Sequence, residues 1–168
     1  MTAQRFVEFV QIHWRKFGFF PHPAVLRPLF GWDFGTRGLS ILLFGRVTEQ
    51  EKKKRVRTLP PAQSPADFTT LVGSVDVLCA ITQLLYKPVV HETLKAASDF
   101  LSELRVSELV SSQQALDGIA AWVDDQLELV RLAITEDNWQ AVADIKTHWT
   151  PTRYTLTGCH TCSRYDRV

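Results

Sequence analysis

Four small constellations in this 168-residue chain hold side chains that could do chemistry. Cys159 and Cys162 stand two residues apart near the end, a spacing that can turn two thiolates toward one zinc ion or support thiol–disulfide exchange. A structural zinc site takes four ligands, and no second Cys-x-x-Cys pair follows; His160 lies between the cysteines and His148 lies upstream. Zinc is therefore carried only as a weak candidate at Cys159 and Cys162, beside an unmetallated tail and redox chemistry. His91-Glu92 opens like a helical zinc-protease motif, but Lys95 occupies the place of the second histidine. Asp124-Asp125 falls on an expected exposed helix face, where adjacent carboxylates diverge and meet water rather than share a proton. Gly31, Gly35 and Gly38 lack the flanking strand and lysine of a phosphate-cradling loop and read as turn formers. Cys79 sits inside an apolar helical stripe and reads as a small core side chain. No local signature joins serine, histidine and acid, so the expectation is a non-catalytic protein, with a site assembled only in the fold as the remaining enzyme reading.

A fifth cluster, Lys52, Lys53, Lys54, Arg55 and Arg57, follows Glu49-Gln50-Glu51 and precedes Pro60-Pro61. Such a run can be a solvated linker, a signal for a nuclear import receptor, or a contact for nucleic-acid phosphates, and the spacing does not choose. The formal charge of +1 conceals a division along the chain. Residues 1–63 carry 11 Lys or Arg against 4 acids, residues 64–150 carry 5 against 13, and residues 151–168 carry 3 against 1. Successive net charges of +7, −8 and +2 favour docking of one part on another, or contact between copies, in either case weakened by salt.

Four helices must position these groups between residues 64 and 150. Ser64-Pro65-Ala66-Asp67 offers a hydroxyl N-cap, a proline at N1 and a carboxylate at N3. Phe68, Leu71, Val72, Val75, Leu78, Cys79 and Leu85 then recur at steps of three and four, which collects them on one helix face. Lys87-Pro88 ends that helix and starts another, with Val90, Leu94, Ala97, Leu101 and Leu104 as its stripe. A third and longest helix is expected from about Ser111, with Gln114 completing a capping box, through Ile119, Val123, Leu127, Val130 and Ile134. A fourth runs from about Glu136 to Trp149 and presents Trp139, Val142, Ala143 and Trp149 before Pro151.

The first 45 residues hold 10 of the 18 aromatic side chains. Phe6, Phe9, Val10, His13 and Phe17 define a helical stripe that Val7 and Trp14 widen, and Trp32 and Phe34 follow among glycine and proline turns. Burial against the rest of the chain, a subunit interface and a membrane-surface helix would each satisfy this aromatic surface. The expected fold is all-α, a compact helical bundle of five to seven helices with an aromatic-rich N-terminal helical segment. Its divisions are the N-terminal segment 1–45, a basic proline-containing linker 46–63, the acidic bundle 64–150 and a cysteine-containing tail 151–168. A composition 45% hydrophobic and 22% charged is that of an ordinary globular chain. Three cysteines make no disulfide framework, Ile41–Phe44 is far too short to span a bilayer, and the opening residues lack a signal-peptide core. A soluble intracellular protein is expected, cytoplasmic or imported into the nucleus.

A helical block followed by Cys159-x-x-Cys162 resembles, in organisation, the Gag protein of a retroelement, in which a helical capsid region precedes a zinc knuckle. The resemblance spans residues 64–162; of the knuckle pattern Cys-x2-Cys-x4-His-x4-Cys only Cys159 and Cys162 match, and Arg167 stands at the histidine position. It implies self-association into a shell and contact with nucleic acid. Phe9, Trp14, Phe17 and Trp32 are then the candidate self-association residues of a homo-oligomer. The alternative is a discrete helical adaptor that binds a protein partner through an exposed helical groove, with Lys52, Lys53, Lys54, Arg55 and Arg57 serving import or nucleic acid.

Overall fold

Short polar side chains decide where most of the described helices begin, because the first backbone N–H groups of a helix have no partner within it. In the computed structural model, which describes residues 2–13, 23–31, 40–45, 64–106 and 112–150, Thr2 caps α1 (Ala3–Ile12), its hydroxyl accepting from the Arg5 N–H. α2 (Pro23–Phe30) follows, and then a short 3-10 turn, Ile41–Phe44, capped by Ser40. α3 is Phe68–Leu85, α4 Pro88–Val106, α5 Gln113–Thr135 and α6 Trp139–Ile145, the last running into a 3-10 turn at Lys146–His148. Among the described residues every regular element is helical, so the fold is all-α.

Three helix starts differ from the sequence expectation. α3 is capped by Asp67, not Ser64: its carboxylate accepts from the Thr70 N–H at 2.7 Å and the Thr70 hydroxyl at 2.9 Å. Pro65 is buried ahead of the helix, where its carbonyl accepts from the Gln113 side chain at 3.1 Å. α5 is capped by Ser112, whose hydroxyl accepts from the Ala115 N–H at 3.2 Å, so Gln114 stands at the second helical position and closes no capping box. α4 begins at Pro88 as expected. The fourth helix starts later than Glu136: Asn138 caps it, and Asp137 before it takes a left-handed turn with φ 53°. The Asn138 N–H reaches back to the Ala133 carbonyl at 2.8 Å, so this turn closes α5 and opens α6 in three residues.

The inward stripes of the bundle are those the periodicity selects. Leu71, Val75 and Leu78 of α3, Val90, Leu94, Leu101 and Leu104 of α4, and Ile119, Val123, Leu127, Val130 and Ile134 of α5 are buried together. α3 lies along α4, and α6 packs against both α4 and α5. The basic N-terminal segment is not a separate body. Phe6, Val10, Leu26, Leu29, Ile41 and Phe44 enter the same hydrophobic core as the acidic bundle. Intramolecular packing is therefore what satisfies these apolar side chains, with Phe6 tilted against Phe30 at 5.5 Å between centroids.

Cross-helix hydrogen bonds fix this packing where the core is polar. Thr93, fully buried on α4, donates to the Val142 carbonyl of α6 at 2.9 Å, and the Ser98 hydroxyl of α4 donates to Asp76 of α3. Gln126 of α5 meets His148 at 3.0 Å. Beside them Phe100, Trp122 and Trp149 form an aromatic cluster, with Trp122 edge-on to Trp149 at 5.1 Å. No helix among the described residues is long and apolar enough to cross a membrane.

Candidate functional site

The longest helix, α5, has two faces that do different work. Its inward face belongs to the core. Its outward face passes through Gly118, Ala121, Asp125, Leu129 and Leu132, positions three and four apart that fall on one line because a helix turns once in 3.6 residues. All five are exposed. Leu129 and Leu132 are each 40% exposed and are two of the three large exposed apolar side chains among the described residues; Ile12, at the end of α1, is the third. At Gly118 nothing lies within 4 Å of the place a Cβ would occupy, so the surface there is open and shallow.

The surroundings of this line are acidic. α5 carries Asp117, Asp124, Asp125 and Glu128 against one base, Arg131, and Arg131 pairs with Glu128 three residues away. Asp117 is exposed and accepts from the Gln113 amide at 3.0 Å; Glu136 is exposed just beyond the helix. An apolar ridge of two leucines, a shallow step of glycine and alanine, and an acidic margin make a surface that a helix or extended segment could cover. The sequence pattern passed over Leu129 and Leu132 because they fall outside the inward stripe. The signal was present: apolar residues three apart, interleaved with Leu127, Val130 and Ile134.

Asp124 departs from the sequence expectation of an exposed carboxylate. It is half-buried and faces the 3-10 turn, where its Oδ1 accepts from the Ile41 N–H at 2.7 Å and it bonds the Ser40 hydroxyl. The cause is the unpartnered N–H at the start of that turn, which needs an acceptor. Burial pushes the Asp124 carboxyl above the usual carboxylate range and the neighbouring charge of Asp125 adds to it, while the bonds from Ser40 and Ile41 pull the other way. Tyr86 makes a second such tie, donating its hydroxyl to the Leu29 carbonyl at 2.7 Å, and burial raises its phenol above the ordinary value. Both ties join the N-terminal segment to the bundle.

The described residues also bring together Cys79 and His91, which the sequence treated separately. His91 Nδ1 lies 3.6 Å from the Cys79 sulfur and 3.3 Å from the Cys79 carbonyl oxygen, and can donate to the carbonyl or accept from the thiol according to its tautomer. A cysteine nucleophile needs a lowered pKa. Here burial, followed by the charge of Asp76, raises the Cys79 thiol, with Lys95 only partly offsetting them. The pair is a packing and hydrogen-bonding contact between α3 and α4 and not an activated thiol. Among the described residues no group of three His, Cys, Asp or Glu side chains is placed to hold a metal ion.

Of the expected self-association residues, Phe9 lies on α1, half-buried against the core and tilted over His13 at 4.5 Å between centroids. Trp14, Phe17 and Trp32 lie outside the described residues, as do Lys52, Lys53, Lys54, Arg55 and Arg57 and the cysteines Cys159 and Cys162. Comparison of the chain with protein-family models, with curated proteins and with solved structures finds no match.

Proposed function

We infer that this chain is a non-catalytic protein-interaction module whose docking surface is the outward face of α5. The observation that carries the reading is the exposure of Leu129 and Leu132 in line with Ala121 and Gly118. Single exposed leucines are ordinary on any protein, whereas an aligned set on one rigid helix is the arrangement through which helices dock. The reading favours the discrete adaptor over shell assembly, because Phe6, Val10, Leu26, Leu29, Ile41 and Phe44 of α1, α2 and the first 3-10 turn are spent in the chain's own core. Gag-like assembly would require a further surface built from Trp14, Phe17 and Trp32. Import or nucleic-acid contact through Lys52, Lys53, Lys54, Arg55 and Arg57 would be a separate activity of the same chain.

The test places a benzophenone side chain at position 121 and maps photo-adducts formed in extracts of cells that express the protein. A discrete adduct that disappears when Leu129→Ser and Leu132→Ser are introduced is the expected result. Adducts unaffected by the double substitution, or none at all, would count against the surface. Molar mass by light scattering across protein concentration and salt separates the adaptor from the shell. A fixed small mass supports the adaptor, and large, concentration-dependent particles support assembly.

A further inference from the structure

The same face carries information about what covers it, and this step rests on the interaction reading above. Two occupants compete on shape. A second copy laid antiparallel about position 125 would set Leu132 over Gly118 and Leu129 over Ala121, large on small, which is a good steric match. That arrangement also places Asp125 against its own counterpart and brings the acidic margins of the two copies, with Asp117, into one interface. Like charges held together at an interface cost several kcal/mol, which opposes the apolar contact of the two stripes. A partner with the same stripe and the opposite charge keeps the steric match and turns the penalty into attraction.

We propose that the outward face of α5 docks a basic amphipathic helix of another protein. Its apolar side chains follow the Gly118–Leu132 line, and its Lys or Arg side chains meet Asp117 beside the line, Asp125 within it and Glu136 beyond its end. From Gly118 to Leu132 the line is about 21 Å long at 1.5 Å per residue, so a helix of about four turns covers it. The open position at Gly118 and the small Ala121 take the partner's bulkiest apolar side chain, and the Leu129–Leu132 ridge takes its smaller ones. The acidic margin sets which partners are admitted, and the leucines set where they sit.

The experiment uses two synthetic, fluorescein-labelled helical peptides of about four turns with the same leucine and alanine stripe, flanked in one by Lys and Arg and in the other by Glu. Fluorescence anisotropy reads their binding to the whole chain at low and high salt. The basic peptide is expected to bind and the acidic one not. Binding should weaken as salt rises and fall about tenfold or more in Asp117→Lys with Asp125→Lys, where attraction becomes repulsion. Gly118→Leu, which fills the shallow step without changing charge, should weaken it as well, and circular dichroism confirms that each variant keeps its helix content. Equal binding of both peptides overturns the basic partner while leaving docking on α5 intact. Basic-peptide binding unmoved by the Asp and Gly118 variants overturns it as non-specific attraction. Binding that appears only after Lys52, Lys53, Lys54, Arg55 and Arg57 are neutralised assigns the face to the chain's own basic run. A dimer of the chain that Leu129→Glu dissociates, with no peptide bound, assigns it to a second copy. No peptide binding together with a monomeric mass at all concentrations removes both this inference and the reading it rests on.

Discussion

The N-terminal elements and Trp149 close on the same central helices by different means. At the C-terminal side, Trp149 seals the bundle through an aromatic cluster with Phe100 and Trp122, backed by Thr93 and Gln126 from neighbouring helices. At the N-terminal side, apolar burial is supplemented by two polar ties that cross between segments far apart in sequence, Asp124 to Ile41 and Tyr86 to Leu29. An aromatic cluster depends on area and shape and is indifferent to protonation. A half-buried carboxylate is not, so the N-terminal closure carries a pH dependence through Asp124.

The largest expected effect tests the aromatic side. Trp149→Ala removes a nearly fully buried indole and should cost about 3–5 kcal/mol, the range for deleting a large aromatic from a core. Urea unfolding followed by circular dichroism measures it, and a loss below about 1 kcal/mol would show that the cluster does not close the bundle. Next comes the polar side. Asp124→Ala leaves the Ile41 N–H without its acceptor and should cost about 1–2 kcal/mol, comparable to loss of a helix cap. Asp124→Asn keeps an acceptor oxygen and should restore most of that loss. Tyr86→Phe removes the hydroxyl bonded to Leu29 and should cost about 1 kcal/mol, again by urea unfolding.

Protonation sharpens the same contrast. The Asp124 carboxyl is raised in the folded chain, so its contribution to stability is fully present below the unfolded carboxyl value of about 3.9 and is lost as pH rises through the folded value. Carbon-13 NMR titration of the Asp124 carboxyl should therefore show a midpoint above that of a free aspartate. In Asp124→Asn, this part of the pH dependence of unfolding should vanish, while Trp149→Ala should leave it unchanged. A midpoint at or below the free value would place the carboxylate in water and dissolve the distinction between the two closures.

How far these features could be read from the sequence follows the distance over which each interaction acts. The inward stripes of α3, α4 and α5 are local periodicities, and their apolar positions are buried as the spacing requires. Helix starts were legible only to within a few residues, because Ser64 and Asp67, or Ser111 and Ser112, each offer a capping oxygen and the choice is made by tertiary packing around Pro65 and Gln113. Asp124 was out of reach. Its partner lies 83 residues away, and nothing local distinguishes it from the exposed Asp125 beside it. The contact of His91 with Cys79 depends in the same way on how α3 and α4 are set side by side.

The smallest expected effect falls on the outward face of α5 and divides that helix as sharply as the two closures divide the molecule. Leu127 and Val130 are buried, while Leu129 and Leu132 keep two fifths of their surface in water. Replacing Val130 by Ala removes core methyl groups and should cost on the order of 1–3 kcal/mol. Replacing Leu129 and Leu132 together by Ser removes more carbon in total, yet should cost only about 1 kcal/mol per site, since two fifths of each side chain stays in water after folding. Paired urea titrations of the two variants decide the matter. A loss of several kcal/mol per site in the serine variant would assign the leucines to the fold, whereas a loss held to about 1 kcal/mol per site with disappearance of the position-121 photo-adduct would assign them to recognition, because a residue that the fold does not need and a partner does is a docking residue by its energetics.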